Sequence, residues 1–256
     1  MREFLTRWRK ARTLERRAIP DDLWALTLAR FHFLTWREPD DIAALREMTT
    51  LFLADKEFTG AHGLEVDDEM AVAIAAQACL PVLRLGLDWL DGFKGIVVHA
   101  DAVVAQREHV DDAGVVHQYE EELTGEAMHG GPVMLAWRDV DAAGESADEG
   151  YNVVVHEFVH VLDMRDGDAD GIPPLPDRAS QEAWIAVLDA EYDAFCECVD
   201  AGEDTVLDPY AAEAPEEFFA VASEVFFVAP HDLLAEHPRF YELLRGFFRQ
   251  DPAAYA

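Results

Sequence analysis

The chain has 256 residues, half of them apolar, enough to bury a sizeable core. Its 52 acidic residues outnumber its 20 basic ones, a net charge of −32 that repels phosphate and excludes nucleic-acid binding by the body of the protein. No apolar run could span a bilayer, the first residues lack a secretory signal's apolar core and cleavage site, and Cys79, Cys196 and Cys198 are too sparse for a disulfide framework; a cytoplasmic protein without a membrane partner is expected.

Residues 1–20 form a basic segment with seven Arg or Lys in the first 17, read as a solvated helix or frayed end. The rest is acidic and poor in lysine, with only Lys56 and Lys94. That composition fits either high salt, where self-repulsion is screened, or plain solubilisation.

In "IPDDLWALTLARFHFL" and "DIAALREMTTLFLADKEF" apolar residues recur at helical spacing, with Asp21 as the candidate cap of the first helix. "GLEVDDEMAVAIAAQACLPVLRLGL" turns almost wholly apolar, as a core helix does. The period then changes. "GIVVHADAVVA", "GVVHQYEEEL" and "GGPVMLAWRDV" are valine-rich and bounded by turn signals, and are predicted strands. "GGPVMLAW" is a candidate sheet edge to which an extended peptide could add.

After the polar loop "DAAGESADEG" comes an apolar helix containing "VVVHEFVHVLD". "SQEAWIAVLDAEYDAF", "APEEFFAVASEVFFVA" and "HPRFYELLRGFF" are further helices. With no repeat and no linker, one compact α+β domain over 1–256 is expected, its N-terminal helices packed against the remainder.

The helix expected over residues 151–164 carries the chemistry. His156 and His160 are four residues apart and share one helix face, so both imidazoles can meet one metal ion. Glu157 lies about 100° further round, placed to take a proton from water beside the metal without being a ligand. A catalytic zinc needs a third protein ligand, and "PEEFFAVASE" offers Glu216, Glu217 and Glu224, among which spacing does not choose. Asp163, three residues after His160, could orient an imidazole or brace the following loop. Asp166, Asp168, Asp170, Gly171 and Asp177 have the spacing of a calcium loop, but three prolines and the lack of a final glutamate favour an acidic turn.

"VVVHEFVHVLDMRDG" followed by "DPYAAEAPEEFFAVASEVFF" resembles the Mlc titration factor A family of bacterial zinc metallopeptidases. "FLADKEFTGAHGLEV", "IAAQACLPVLRLGLDW" and "GEAMHGGPVMLAW" are similar to the same family, so the resemblance runs from Trp24 to the end. It implies a zincin-like core, a small mixed sheet with an active-site helix flanked by N- and C-terminal helices, and a site similar to that of the lethal-factor protease domain. It further implies one zinc ion held by His156, His160 and Glu217, with Glu157 as general base. Tyr210, seven residues before Glu217, would hydrogen-bond the oxyanion.

Met128 departs from the aromatic residue expected there. The implied partners are a peptide or protein substrate and, from the family's name, a transcriptional repressor. A non-catalytic protein that sequesters a regulator around a structural zinc is the alternative.

Overall fold

The computed structural model describes residues 10–110 and 116–256, with backbone alone at 104–110 and 116–122. Helix α1 (Asp21–Arg30) begins after Pro20 without a side-chain cap. Asp21 lies inside its first turn and pairs with Arg46 at 2.6 Å, so it is not the cap that the sequence suggests. Helix α2 (Pro39–Asp55) has proline at its first position, where a missing N–H costs nothing. Helix α3 (Asp68–Cys79) is capped by Asp67, which accepts from the Met70 N–H at 2.9 Å, and buries nine of its twelve residues.

A four-stranded sheet holds β1 (Glu57–Gly60), β2 (Gly95–His99), β5 (Gly125–Ala127) and β6 (Val133–Ala136) in the order β1-β2-β6-β5. The first three in that order are parallel, and β5 runs antiparallel at the outside. Ile96 pairs with Val133 and Val98 with Leu135, and all four are buried on one face. β3 (Val103–Val110) and β4 (Val116–Leu123) form a separate antiparallel ribbon.

Three strand expectations change. "GIVVHADAVVA" divides, its first half joining the sheet and its second the ribbon. "GGPVMLAW" is interior, because β6 lies between β2 and β5, and from Trp137 it continues as helix α4 (Trp137–Ala142). The free edge beside the site is β5. Buried Lys56 ties the start of β1 to the loop before β2: its Nζ donates to the Leu90 and Phe93 carbonyls at 2.6 and 3.0 Å.

Helix α5 (Val153–Asp163) is packed between the sheet and α7 (Pro215–Val228). Its inner face, Val154, Val155, Phe158, Val159 and Leu162, is wholly buried, and Phe158 sits between the rings of Phe52 and Phe93 at 5.8 and 5.9 Å. Every residue of α7 from Phe218 to Val228 is buried. Helix α6 (Arg178–Ala201), capped by Asp177, and the C-terminal helices α8 (Pro230–Glu236) and α9 (Pro238–Phe248) complete the surround; Trp184 of α6 meets Phe219 and Phe240 edge-on. No helix among the described residues is long and apolar enough to cross a membrane.

Candidate metal centre

Asn152 starts the site. Its side chain accepts from the Val155 N–H at 2.9 Å and so caps α5, which fixes where the first turn of imidazoles points. The same side chain donates to Gln77 Oε1 at 2.8 Å, tying the cap to buried α3. The sequence carried both signals, an asparagine directly before an apolar run and one polar residue inside an apolar helix.

His156 and His160 project from one face of α5 with their Nε2 atoms 3.1 Å apart. Glu217, in the first turn of α7, places Oε2 3.1 Å from the first and 3.3 Å from the second. Although these are hydrogen-bond lengths, that oxygen is buried and receives no hydrogen in acceptable geometry. Three lone-pair atoms thus converge on one point. Ligand atoms about 2.0–2.2 Å from a tetrahedral zinc stand roughly 3.3–3.6 Å apart, so the donor set, at 3.1–3.3 Å, needs only a slight spreading to hold such an ion. Among the described residues, His156, His160 and Glu217 are the group of ligand atoms close enough to hold a metal.

The other two candidate glutamates fall elsewhere. Glu224 is two helical turns past Glu217 on the same stripe of α7. Its Oε1 lies 2.7 Å from His156 Nδ1, and its Oε2 accepts the Asn152 N–H. A carboxylate only accepts, so Nδ1 carries the hydrogen and Nε2 turns its lone pair to the cluster. Glu216 lines the cavity beside Glu217. Asp163 is buried at the end of α5, where its Oδ2 accepts the N–H groups of Asp170 and Gly171 at 3.1 and 2.8 Å. Those bonds describe a loop brace.

Glu157 is 5 % exposed, and burial pushes its carboxyl up to about 7 against the pull of His156 and His160. Glu217 goes the other way: burial raises it, but the two imidazoles outweigh burial and hold it at about 2. Burial likewise opposes charge on His156, yet Glu217 and Glu224 carry its pKa well above the ordinary value. The cluster therefore favours positive charge where the lone pairs meet, while Glu157 beside it stays poised between its two forms. Gly125 of β5 abuts Glu157 so closely that a Cβ there would stand 2.4 Å from Oε1.

Two cavities flank the cluster. One of 270 Å³ runs between Thr124, Tyr151, Val153, Val221 and Asp208; another of 240 Å³ runs past Glu126, Ala127, Met164 and Glu216. Tyr210 lines both, its ring centroid 6.1 Å from that of His156. It stands on a short 3-10 turn, Pro209–Ala212, that Asp208 caps.

Two histidines from a helix that also presents an inward glutamate, met by a glutamate from a second helix, define a metallopeptidase-like centre. Residues 5–249 match the family described as Glucose-regulated metallo-peptidase M90, and the chain belongs to that family. Mlc titration factor A of Salmonella arizonae is 37 % identical over 238 residues, 91 % of this chain and 92 % of that protein. The proteins of the same name from Escherichia fergusonii and Salmonella typhimurium are each 36 % identical, over 231 and 232 residues, about nine-tenths of this chain and 85 % of theirs.

Proposed function

We propose that this protein is a zinc-dependent peptidase with a zincin-like core, acting in the cytoplasm as one domain over 1–256. The observation that carries the reading is the triangle of His156 Nε2, His160 Nε2 and Glu217 Oε2, with buried Glu157 alongside. Those three residues would hold one zinc ion, which when bound supplies a Lewis acid that acidifies water and polarises a carbonyl.

The chain's own groups do the rest. Glu157, poised near neutrality, accepts a proton from the attacking water and delivers it to the leaving amine. Tyr210 donates a hydrogen bond to the carbonyl oxygen as it becomes tetrahedral. Glu224 fixes the tautomer and orientation of His156, and Asp163 holds the loop behind His160. An extended peptide pairing with the free edge of β5 would run across Glu157, because Gly125 to Ala127 line the cluster's cavity.

Glu157→Gln tests this. The variant should keep zinc and lose hydrolysis by about 10²–10⁴-fold; unchanged peptidase activity would refute the mechanism.

The name shared by the relatives supports a second activity, binding of a transcriptional repressor, either beside catalysis or in place of it around a structural zinc. Glu157 favours catalysis, since a purely structural site has no use for a base. A repressor bound equally with and without zinc, by a protein that cleaves no peptide, would reverse that preference.

A further inference from the structure

A separate cavity, of 150 Å³, opens away from the metal cleft. It lies between the start of α2, the turn after α3 and the segment that follows α9. Arg37, Arg84 and Arg249 line it, against Asp41 and Asp251. In a chain with 52 acidic and 20 basic residues, that balance is inverted.

Both aspartates are already engaged. Asp41 pairs with Arg84 at 2.7 Å. Asp251 accepts the Tyr241 hydroxyl at 2.6 Å and faces Arg245 at 3.4 Å. Arg37 and Arg249 are left over. Arg37 is only 9 % exposed, and its Nη1 donates to the Phe33 carbonyl at 3.0 Å and to that of Leu34. Its Nε and Nη2 make no hydrogen bond, and among the described residues no carboxylate comes within 4.0 Å of it. Three of its five N–H groups are thus unused, and the nitrogens that carry them reach solvent from a largely buried side chain that lines the cavity, where an oxyanion could meet them. Burial lowers its pKa to about 10, while the Asp41 carboxylate raises it.

Arg249 makes no ion pair among the described residues and holds a left-handed backbone, φ 54°, at the end of α9. Glycine usually occupies such a helix end. Gln250 anchors the wall by donating to the Leu80 carbonyl at 2.8 Å.

We propose that this cavity binds a small oxyanion, a phosphate or carboxylate group gripped by Arg37 and Arg249. A nucleotide needs a larger pocket, since ligand sites for drug-sized molecules run to about 300–1,000 Å³. A guanidinium fork matches two oxygens of such a group at once. Occupancy would fasten the N-terminal helices to the end of the chain and stabilise the fold by mass action. The proposal is independent of the metal centre.

The test is calorimetric titration of inorganic phosphate, and separately of acetate, into the full-length protein at constant pH and ionic strength, with the unfolding temperature followed in parallel. At least one anion should bind saturably to one site and raise that temperature. Affinity should fall about tenfold or more in Arg249→Gln and in Arg37→Gln, and hold in Arg178→Gln, an exposed control. Binding of phosphate alone, or of acetate alone, identifies which oxyanion the site takes. Arg249 is exposed and glutamine leaves its backbone demand unchanged, so that variant carries the test even where Arg37→Gln fails to fold. Saturable binding by neither anion, or equal affinity in the wild type and Arg249→Gln, overturns the proposal.

Discussion

Glu224 Oε1 lies 2.7 Å from His156 Nδ1, on the side of the imidazole away from the three converging atoms. The contact belongs to a buried chain in which Gln77 meets the Asn152 side chain, the Asn152 N–H meets Glu224, and Glu224 meets His156. A core helix, a helix cap and a carboxylate thus aim the His156 imidazole.

Removing Glu224 should therefore loosen metal binding without touching a ligand. Glu224→Ala is expected to weaken zinc affinity by about 10–100-fold, measured by competition with a chromogenic chelator. Glu224→Gln keeps an acceptor for the Nδ1 hydrogen and should recover much of the loss.

Gly125 permits the approach of β5 to Glu157, the proposed general base. Gly125→Ala puts a methyl group into the Glu157 carboxylate, and the strand is held by its pairing with β6. The displaced carboxylate should cost about 10²-fold in kcat/KM, with zinc content unchanged. Full activity in this variant would mean that Glu157 is free to work from another position.

For Asp163 the sign of a pH effect can be stated. Burial first, and then Asp170, raise its carboxyl from 3.8 to about 7 in the folded protein. A raised folded pKa favours the protonated native state, so that contribution is fully present below pH 3.8 and is lost as pH rises through 7. Asp163→Asn keeps an acceptor for the Asp170 and Gly171 N–H groups and carries no charge. Its denaturation midpoint should exceed the wild-type value at pH 8 and meet it near pH 4. Asp163→Ala strands both N–H groups and should lose about 1–3 kcal/mol at either pH.

Phe158 tests the platform beneath the site. It is fully buried on α5, on the face away from His156 and His160, against Phe52 and Phe93. Phe158→Ala should cost about 3–5 kcal/mol in urea denaturation, with zinc affinity per folded molecule altered much less than in Glu224→Ala.

The helical parts of this architecture are legible because long periodic segments declare themselves. His156, Glu157 and His160 are legible because their relation is local: four residues along one helix fix the geometry. Glu217 is not local. Glu216, Glu217 and Glu224 share one helix, and only the packing of α7 on α5 brings Glu217 to the imidazole Nε2 atoms and Glu224 to Nδ1. β1 and β5, at four and three residues, are too short for an alternating pattern to emerge. β5 also contains glycine and glutamate, poor strand formers chosen for what they adjoin. The bracing of the following loop by Asp163 is one of the two readings its position allows, and packing decides between them; the convergence of Arg37 and Arg249 leaves no trace in spacing.

An open strand edge is also a hazard, since unpaired backbone groups recruit other chains as readily as substrates. Here that adhesive length is three residues, Gly125 to Ala127, in an antiparallel strand on the outside of a parallel run. So short an edge gives two copies of the protein little to zip together, while the peptide proposed to pair there would gain additional hold from the cavities on either side. Lengthening β5 would strengthen the grip on peptides and bring self-association with it, which sets a limit on how far this cleft can be improved by pairing alone.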